Sequence, residues 1–216
     1  MPLCGTTIIT KKQAEFAQRE QEILNAALSL FEGPHWEQVT VEQISKKAEI
    51  GKGTVYKHFA SKEEIYAYIT LDFTERLFES FEKVIHHEEV LDNLKHVIRV
   101  AFEDFLNNPA QARVSFYCKR EDYRNRLTSE LREKFETMDR RVEDFFGAIL
   151  QPGIDKGLFI DKPIEHLVMG LEATFDGAIS MIWNSDISYQ HASDQENFVD
   201  IISEYMLAGL VGLGKS

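Results

Sequence analysis

The sequence predicts an all-α protein, on three observations. Apolar residues recur every three or four positions through most of its 216 residues, strand-like alternation of useful length is absent, and hydroxyl residues at capping-box spacing precede the periodic runs. Ile23, Leu24, Ala27, Leu28 and Phe31 make one face of a helix over 21–31, which Gly33 and Pro34 end. Thr40 opens a short helix with Val41, Ile44 and Ala48 on one face. After a turn at Glu49, Ile50 and Gly51, Val55 and Phe59 mark a third helix over 52–59. From Ser61 onward, Ile65, Ile69, Phe73, Leu77, Phe81 and Val84 describe an amphipathic helix of about seven turns. Leu91, Leu94, Ile98, Ala101 and Phe105 repeat the pattern until Asn108 and Pro109 stop it. A charged helical segment from Glu121 to about Leu150 ends at Pro152 and Gly153. Asp161 and Pro163 open a helix through Leu167, Leu171, Phe175, Ala178 and Ile182, and Ser193 opens the last, through Phe198, Ile201, Ile202, Tyr205 and Gly209. Thr40 with Gln43, Ser61 with Glu64 and Ser193 with Glu196 fit the capping box, in which the hydroxyl takes an orphan N–H and the third residue reaches back.

Charge divides the chain. There are 24 Lys and Arg against 36 Asp and Glu, a net of −12. Residues 1–62 hold eight basic and seven acidic side chains, whereas residues 63–216 hold 16 and 29. An evenly acidic protein repels nucleic acid; here the acid sits almost wholly in the larger part, which leaves the first part free to meet a polyanion. The expected division is therefore a head over 1–62 and a larger helical domain over 63–216. Two cysteines, Cys4 and Cys118, are too few for a disulfide scaffold. No apolar run approaches the roughly 18 residues of a membrane span, and no basic segment precedes the short apolar stretch at Ile8 and Ile9, so the expectation is a reduced, cytoplasmic protein without a signal peptide. Cys118 stands before Lys119 and Arg120, whose charge lowers a thiol pKa, and this makes it a candidate redox-sensitive position.

Two short helices joined by a three- or four-residue turn form a helix-turn-helix unit. With Val55 and Phe59 inward, the second of them shows Lys52, Thr54, Tyr56, Lys57 and His58 to solvent. None is acidic, and all can donate hydrogen bonds to phosphate or base edges. Gly53 has no side chain to hold a groove at a distance, and the helix start offers free N–H groups to a phosphate. Thr40 through Ile44, Lys47 through Phe59 and Ser61 through Glu64, in this order and spacing, closely resemble the DNA-binding domain of the TetR/AcrR family of transcriptional regulators. The resemblance covers about 50 residues; the rest of the chain matches in style alone. It implies that Thr40 and Lys62 hold phosphates, that Lys52, Gly53 and Thr54 lie in the major groove, that Tyr56 and His58 bind backbone phosphate, and that Lys57 contacts a base or a phosphate. Two positions depart from the family pattern: Ser45, where Ala is usual, and Glu49, where Gly is common.

The resemblance also implies a homodimer released from a pseudo-palindromic operator by a small effector, acting as a repressor. Phe73, Phe102, Phe105, Phe116, Tyr117 and Phe175 are the candidate lining of a pocket for an apolar or aromatic effector. Gly170, Ala173 and Gly177, with Ala208, Gly209 and Gly212, are small residues on the last two helices, where the family makes its dimer contact; packing within one chain explains them equally well. No H-E-x-x-H, no phosphate loop and no G-x-G-x-x-G is present. The Glu32–His35 pair is interrupted by Gly33 and Pro34, and His86 and His87 beside Glu88 and Glu89 read as a helix end. The expectation is a non-enzyme without metal or cofactor. The alternative is a helical small-molecule-binding or interaction protein that no longer meets DNA.

Overall fold

The computed structural model describes residues 10–85, 89–184 and 192–212, without the side chains of Ala192 and Ser193. Cys4, His86 and His87 lie outside the described residues, as does the capping side chain of Ser193. Among the described residues there are ten α-helices and no strand: α1 (Lys11–Phe31), α2 (Val41–Lys47), α3 (Lys52–His58), α4 (Lys62–Glu82), α5 (Val90–Asn107), α6 (Pro109–Cys118), α7 (Glu121–Arg124), α8 (Ser129–Asp155), α9 (Ile164–Trp183) and α10 (Ala192–Val211). A 3-10 turn, Trp36–Gln38, links α1 to α2. The all-α reading holds.

The chain forms two compact units. One runs to Thr70 and takes in Arg113–Leu127; the other takes Leu71–Ala112 and the residues from Thr128 onward. Helices α4 and α6 therefore each belong in part to both.

In the first unit the inward faces of α1 to α4 meet over Ile23, Ala27, Phe31, Ile44, Val55, Phe59, Ile65 and Ile69, all buried. Burying a side chain of this size fully contributes about 1.5–3 kcal/mol. A run of edge-on rings extends this core. Phe31 meets Trp36 and Tyr66, Tyr66 meets Tyr117, and Tyr117 meets Tyr123 at centroid distances of 5.3–6.1 Å. The late segment is fastened by Tyr123, fully buried, whose hydroxyl donates to the Glu63 carbonyl at 2.7 Å. In the second unit α5 packs against α8, α9 and α10, and α9 against α8 and α10. Leu94, Val97, Phe102, Phe135, Leu150, Leu171, Ile179 and Leu210 are buried there.

Three boundaries differ from the sequence expectation. Helix α1 starts ten residues early, at Lys11, because Thr10 and Gln13 complete a capping box. Helix α5 does end at Asn107, before Asn108 and Pro109 as expected, but Pro109 is also the first residue of a further helix, α6, where its missing N–H has no helical partner to lose. Pro152 lies inside the last turn of α8, which continues to Asp155. What stops α8 is Gly157, at φ +69°: its N–H donates to the Ile154 carbonyl and that of Leu158 to Gly153, a Schellman closure.

Candidate nucleic-acid interface

Local chemistry builds the helix-turn-helix. Thr40 Oγ1 accepts from the Gln43 N–H at 3.3 Å, and Gln43 Oε1 accepts from the Thr40 N–H at 2.8 Å, so both orphan donors at the start of α2 are satisfied. Ser45, buried, turns its hydroxyl onto the Glu42 carbonyl at 2.9 Å, which lets a polar residue occupy a position usually held by Ala. The turn is a second Schellman closure: Ile50 N–H donates to the Ser45 carbonyl and Glu49 N–H to the Lys46 carbonyl. The left-handed residue this motif needs is Glu49, at φ +55°, the only positive φ outside glycine among the described residues. A left-handed non-glycine residue costs roughly 1–2 kcal/mol.

Helix α3 is anchored by very little. Val55 is its one fully buried side chain, with Phe59 just beyond its end. Lys52, Gly53, Tyr56 and Lys57 are exposed, and Thr54 is half-buried. A Cβ added to Gly53 would meet no protein atom within 4 Å. Glycine inside a helix costs up to about 1 kcal/mol relative to alanine, and no packing inside the chain requires it at this position. Glu42, on α2, is held below its usual carboxylate range, first by its hydrogen bond and ion pair with Lys46 at 2.9 Å and then by Lys52.

Two residues that the resemblance assigns to phosphate stand differently. Lys62 turns inward: its Nζ donates to the Glu37 carbonyl at 2.7 Å and the Val39 carbonyl at 3.1 Å, and lies 5.4 Å from the centre of the Tyr66 ring. Burial lowers its pKa, with Glu63 and Glu37 opposing. This ammonium ties the start of α4 to the strap that leads into Thr40. The side chain of His58 is only 8 % exposed; its ring packs on Phe16 with centroids 4.0 Å apart, and its Nδ1 is 3.8 Å from Glu20 Oε1. Among the described residues that nitrogen has no hydrogen-bond partner.

The remaining predicted positions fall in three places. Phe73, Phe102, Phe105 and Phe175 come together in the second unit: Phe73–Phe105, Phe105–Phe175 and Phe102–Phe175 centroids are 5.1, 4.9 and 4.7 Å apart. Phe116 and Tyr117 belong to the first unit instead, with Tyr117 between Trp36, Tyr66 and Tyr123. On α9 and α10, Gly170, Ala173, Gly177, Ala208 and Gly209 are exposed. A Cβ on Gly170, Gly177 or Gly209 would touch nothing within 4 Å, so packing within the chain does not explain them. Gly212 has an internal reason: at φ +81° it closes α10, and a Cβ there would clash with Ile160. Beside these small residues stand Met169, Met181, Ile201, Tyr205 and Val211, each 41–69 % exposed.

Cys118 reverses the sequence expectation. Its thiol is buried, and burial pushes its pKa up to about 11, outweighing nearby Arg124. A protonated, shielded thiol is a poor nucleophile. Among the described residues, no helix is long and apolar enough to cross a membrane.

The first ten residues of α1 escaped the sequence reading, although Thr10 and Gln13 carry capping-box spacing in plain view. The inward turn of Lys62 had no such signal.

Residues 23–69, the helix-turn-helix and its flanking helices, match the family model for bacterial regulatory proteins of the tetR family. The chain is 29 % identical over 145 residues to the HTH-type transcriptional repressor KstR2 of Mycolicibacterium smegmatis, covering 66 % of this chain and 68 % of that protein. Its fold is similar to that of a tetR-family regulatory protein from Rhodococcus RHA1, with a TM-score of 0.70, 20 % identity, and 92 % and 99 % of the two chains covered. It is also similar to the ketosteroid transcriptional regulator KstR2 of Mycobacterium tuberculosis, with a TM-score of 0.65, 22 % identity, and 90 % and 96 % covered. Residues 23–69 thus carry the helix-turn-helix of the tetR family of bacterial regulatory proteins, on a chain whose fold is similar to that of such regulators along most of its length.

Proposed function

We propose that the protein is a homodimeric repressor that holds a pseudo-palindromic operator through two copies of α3 and leaves it when a small apolar or aromatic effector binds. The observation that carries this reading is the acid-free face of Lys52, Thr54, Tyr56 and Lys57 around Gly53, a glycine that the chain's own packing does not require. Lys52, Gly53 and Thr54 enter the major groove, while Thr40, Tyr56 and Lys57 serve the phosphates and bases beside it. Lys62 and the ring of His58, both turned inward, hold the head's shape. Two heads joined by two-fold symmetry read half-sites about 34–36 Å apart, or a multiple of that.

The pairing surface is the exposed face of α9 and α10. Its glycines let a second copy approach closely, and Met169, Met181, Ile201 and Tyr205 supply apolar area to bury. The effector's place is the cluster of Phe73, Phe102, Phe105 and Phe175; its apolar chemistry, and the ketosteroid regulator among proteins of the same fold, support a lipophilic compound. Release requires that the effector prefer the conformer whose heads are wrongly spaced, because equal affinity for both shifts nothing. Helix α4 begins in one unit and ends in the other, which makes it the element through which that preference reaches the head. Selection from a random duplex pool tests the reading: a two-fold symmetric site should emerge, and a protein that retains no duplex at low salt would overturn it.

A further inference from the structure

We infer that the first turns of α1 form a second DNA-contacting element of the head, in which Lys12 meets the phosphate backbone beside the groove entered by α3. This inference rests on the DNA-binding reading above. Residues 11–18 are exposed on every side, although they continue a helix capped at Thr10. A helical stretch that buries no face is marginal in water, because helices in proteins are stabilised mainly by packing. What fastens this one is not the core. The Phe16 ring lies on the ring of His58, the last residue of α3, with Glu20 close to the same imidazole. The extension is clipped to the recognition helix itself.

Lys12, Phe16 and Glu20 follow at intervals of four and share one helix face. The stripe that touches His58 therefore continues one turn further, to Lys12, about 6 Å beyond Phe16 along the axis. The other cations of the extension are spoken for: Lys11 pairs with Glu15 at 3.8 Å and Arg19 with Glu22 at 2.6 Å. Lys12 makes no ion pair among the described residues, and neither does Lys57, the neighbour of His58 on α3. The two helices that meet at the Phe16–His58 contact thus each carry an ammonium without an ion-pair partner, Lys12 on α1 and Lys57 on α3, with Glu20 beside the imidazole as the acid at that contact. The buried imidazole cannot reach a phosphate as it stands, and Lys12 supplies a donor on the same flank in its place.

The experiment measures the salt dependence of binding by the full chain to a duplex selected as above. Lys12→Gln should weaken binding several-fold and reduce the slope of log K against log salt by about 0.9, one released counterion. Phe16→Ala, which unfastens the extension, should reproduce that loss of slope, and the double variant should add little to either. Both positions are exposed, and thermal melts identical to the wild type would show that the fold is intact. A wild-type slope and affinity for Lys12→Gln, with Lys57→Gln still reducing the slope, would overturn the inference and leave the DNA-binding reading standing. A weaker Phe16→Ala with unchanged slope, beside a silent Lys12→Gln, would overturn it too, since the extension would then only brace α3. A wild type that binds no duplex would remove both readings together.

Discussion

The exposed face of α3 and the exposed face of α9 and α10 are both left unfinished by the fold, in opposite ways. One offers Lys52, Thr54, Tyr56 and Lys57 without an acid among them; the other offers Met169, Met181, Ile201, Tyr205 and Val211. Both contain helical glycines whose missing side chain answers to nothing in the same molecule. A glycine retained at such a cost marks a surface shaped by something outside the chain. The chemistry of the neighbours then separates the two partners: cations and hydroxyls for a polyanion, thioethers and aliphatic groups for a second apolar face. On the proposed reading, the same backbone device serves two kinds of recognition.

The strongest test of that contrast is to exchange its chemistry. Met169→Glu with Tyr205→Glu puts charge where apolar area is to be buried; sedimentation should report a monomer, and operator affinity should fall about 100-fold or more as the two heads lose their linkage. A protein that remains paired would break the comparison. Lys62 comes next. Its hydrogen bonds to the Glu37 and Val39 carbonyls are charge-assisted and half-sheltered, so Lys62→Met should cost about 1–2 kcal/mol in chemical denaturation. It should weaken DNA binding without changing the salt slope, and a slope reduced by about one would return this ammonium to the phosphates.

Gly53→Ala sharpens the contrast through two opposite signs. The head should gain up to about 1 kcal/mol from the better helix former, while duplex affinity falls, because the added methyl has room in the free protein alone. The smallest effect belongs to Glu49→Gly. Relief of the left-handed strain, less the extra chain entropy of glycine, should stabilise the protein by about 0.5–1 kcal/mol with DNA affinity unchanged, as paired melting and binding curves would show.

The segment from Thr40 to Phe59 was legible because its information is local: a capping box, a turn and two short apolar faces, all within 20 residues. Even the cost at Glu49 could be read in advance. Position along an element was legible; direction was not. An ammonium at 62 satisfies the same pattern whether it aims at a phosphate or at the Glu37 carbonyl, and the surrounding Tyr66 and Val39 decide. His58 is similar, since its orientation depends on Phe16, a residue that falls ahead of the helix read from periodicity. Small residues on α9 and α10 could have served packing within one chain or between two, and only the empty space beyond Gly170, Gly177 and Gly209 separates them from Gly212. Pro152 is the reverse case: a strong local stop signal overridden, with the termination moved to Gly157.

The docking of Tyr123 against Glu63 bears on how such proteins can be recombined. The head is stitched from two stretches of chain, so a chimera spliced near residue 62, or an isolated amino-terminal fragment, would strip away the late segment. Tyr66 would then face water where Tyr117 had covered it, and the second turn of α4 would lose its cross-brace. A transplant that keeps specificity should carry residues 113–127 along with the reading helices, as a matched pair rather than a detachable module.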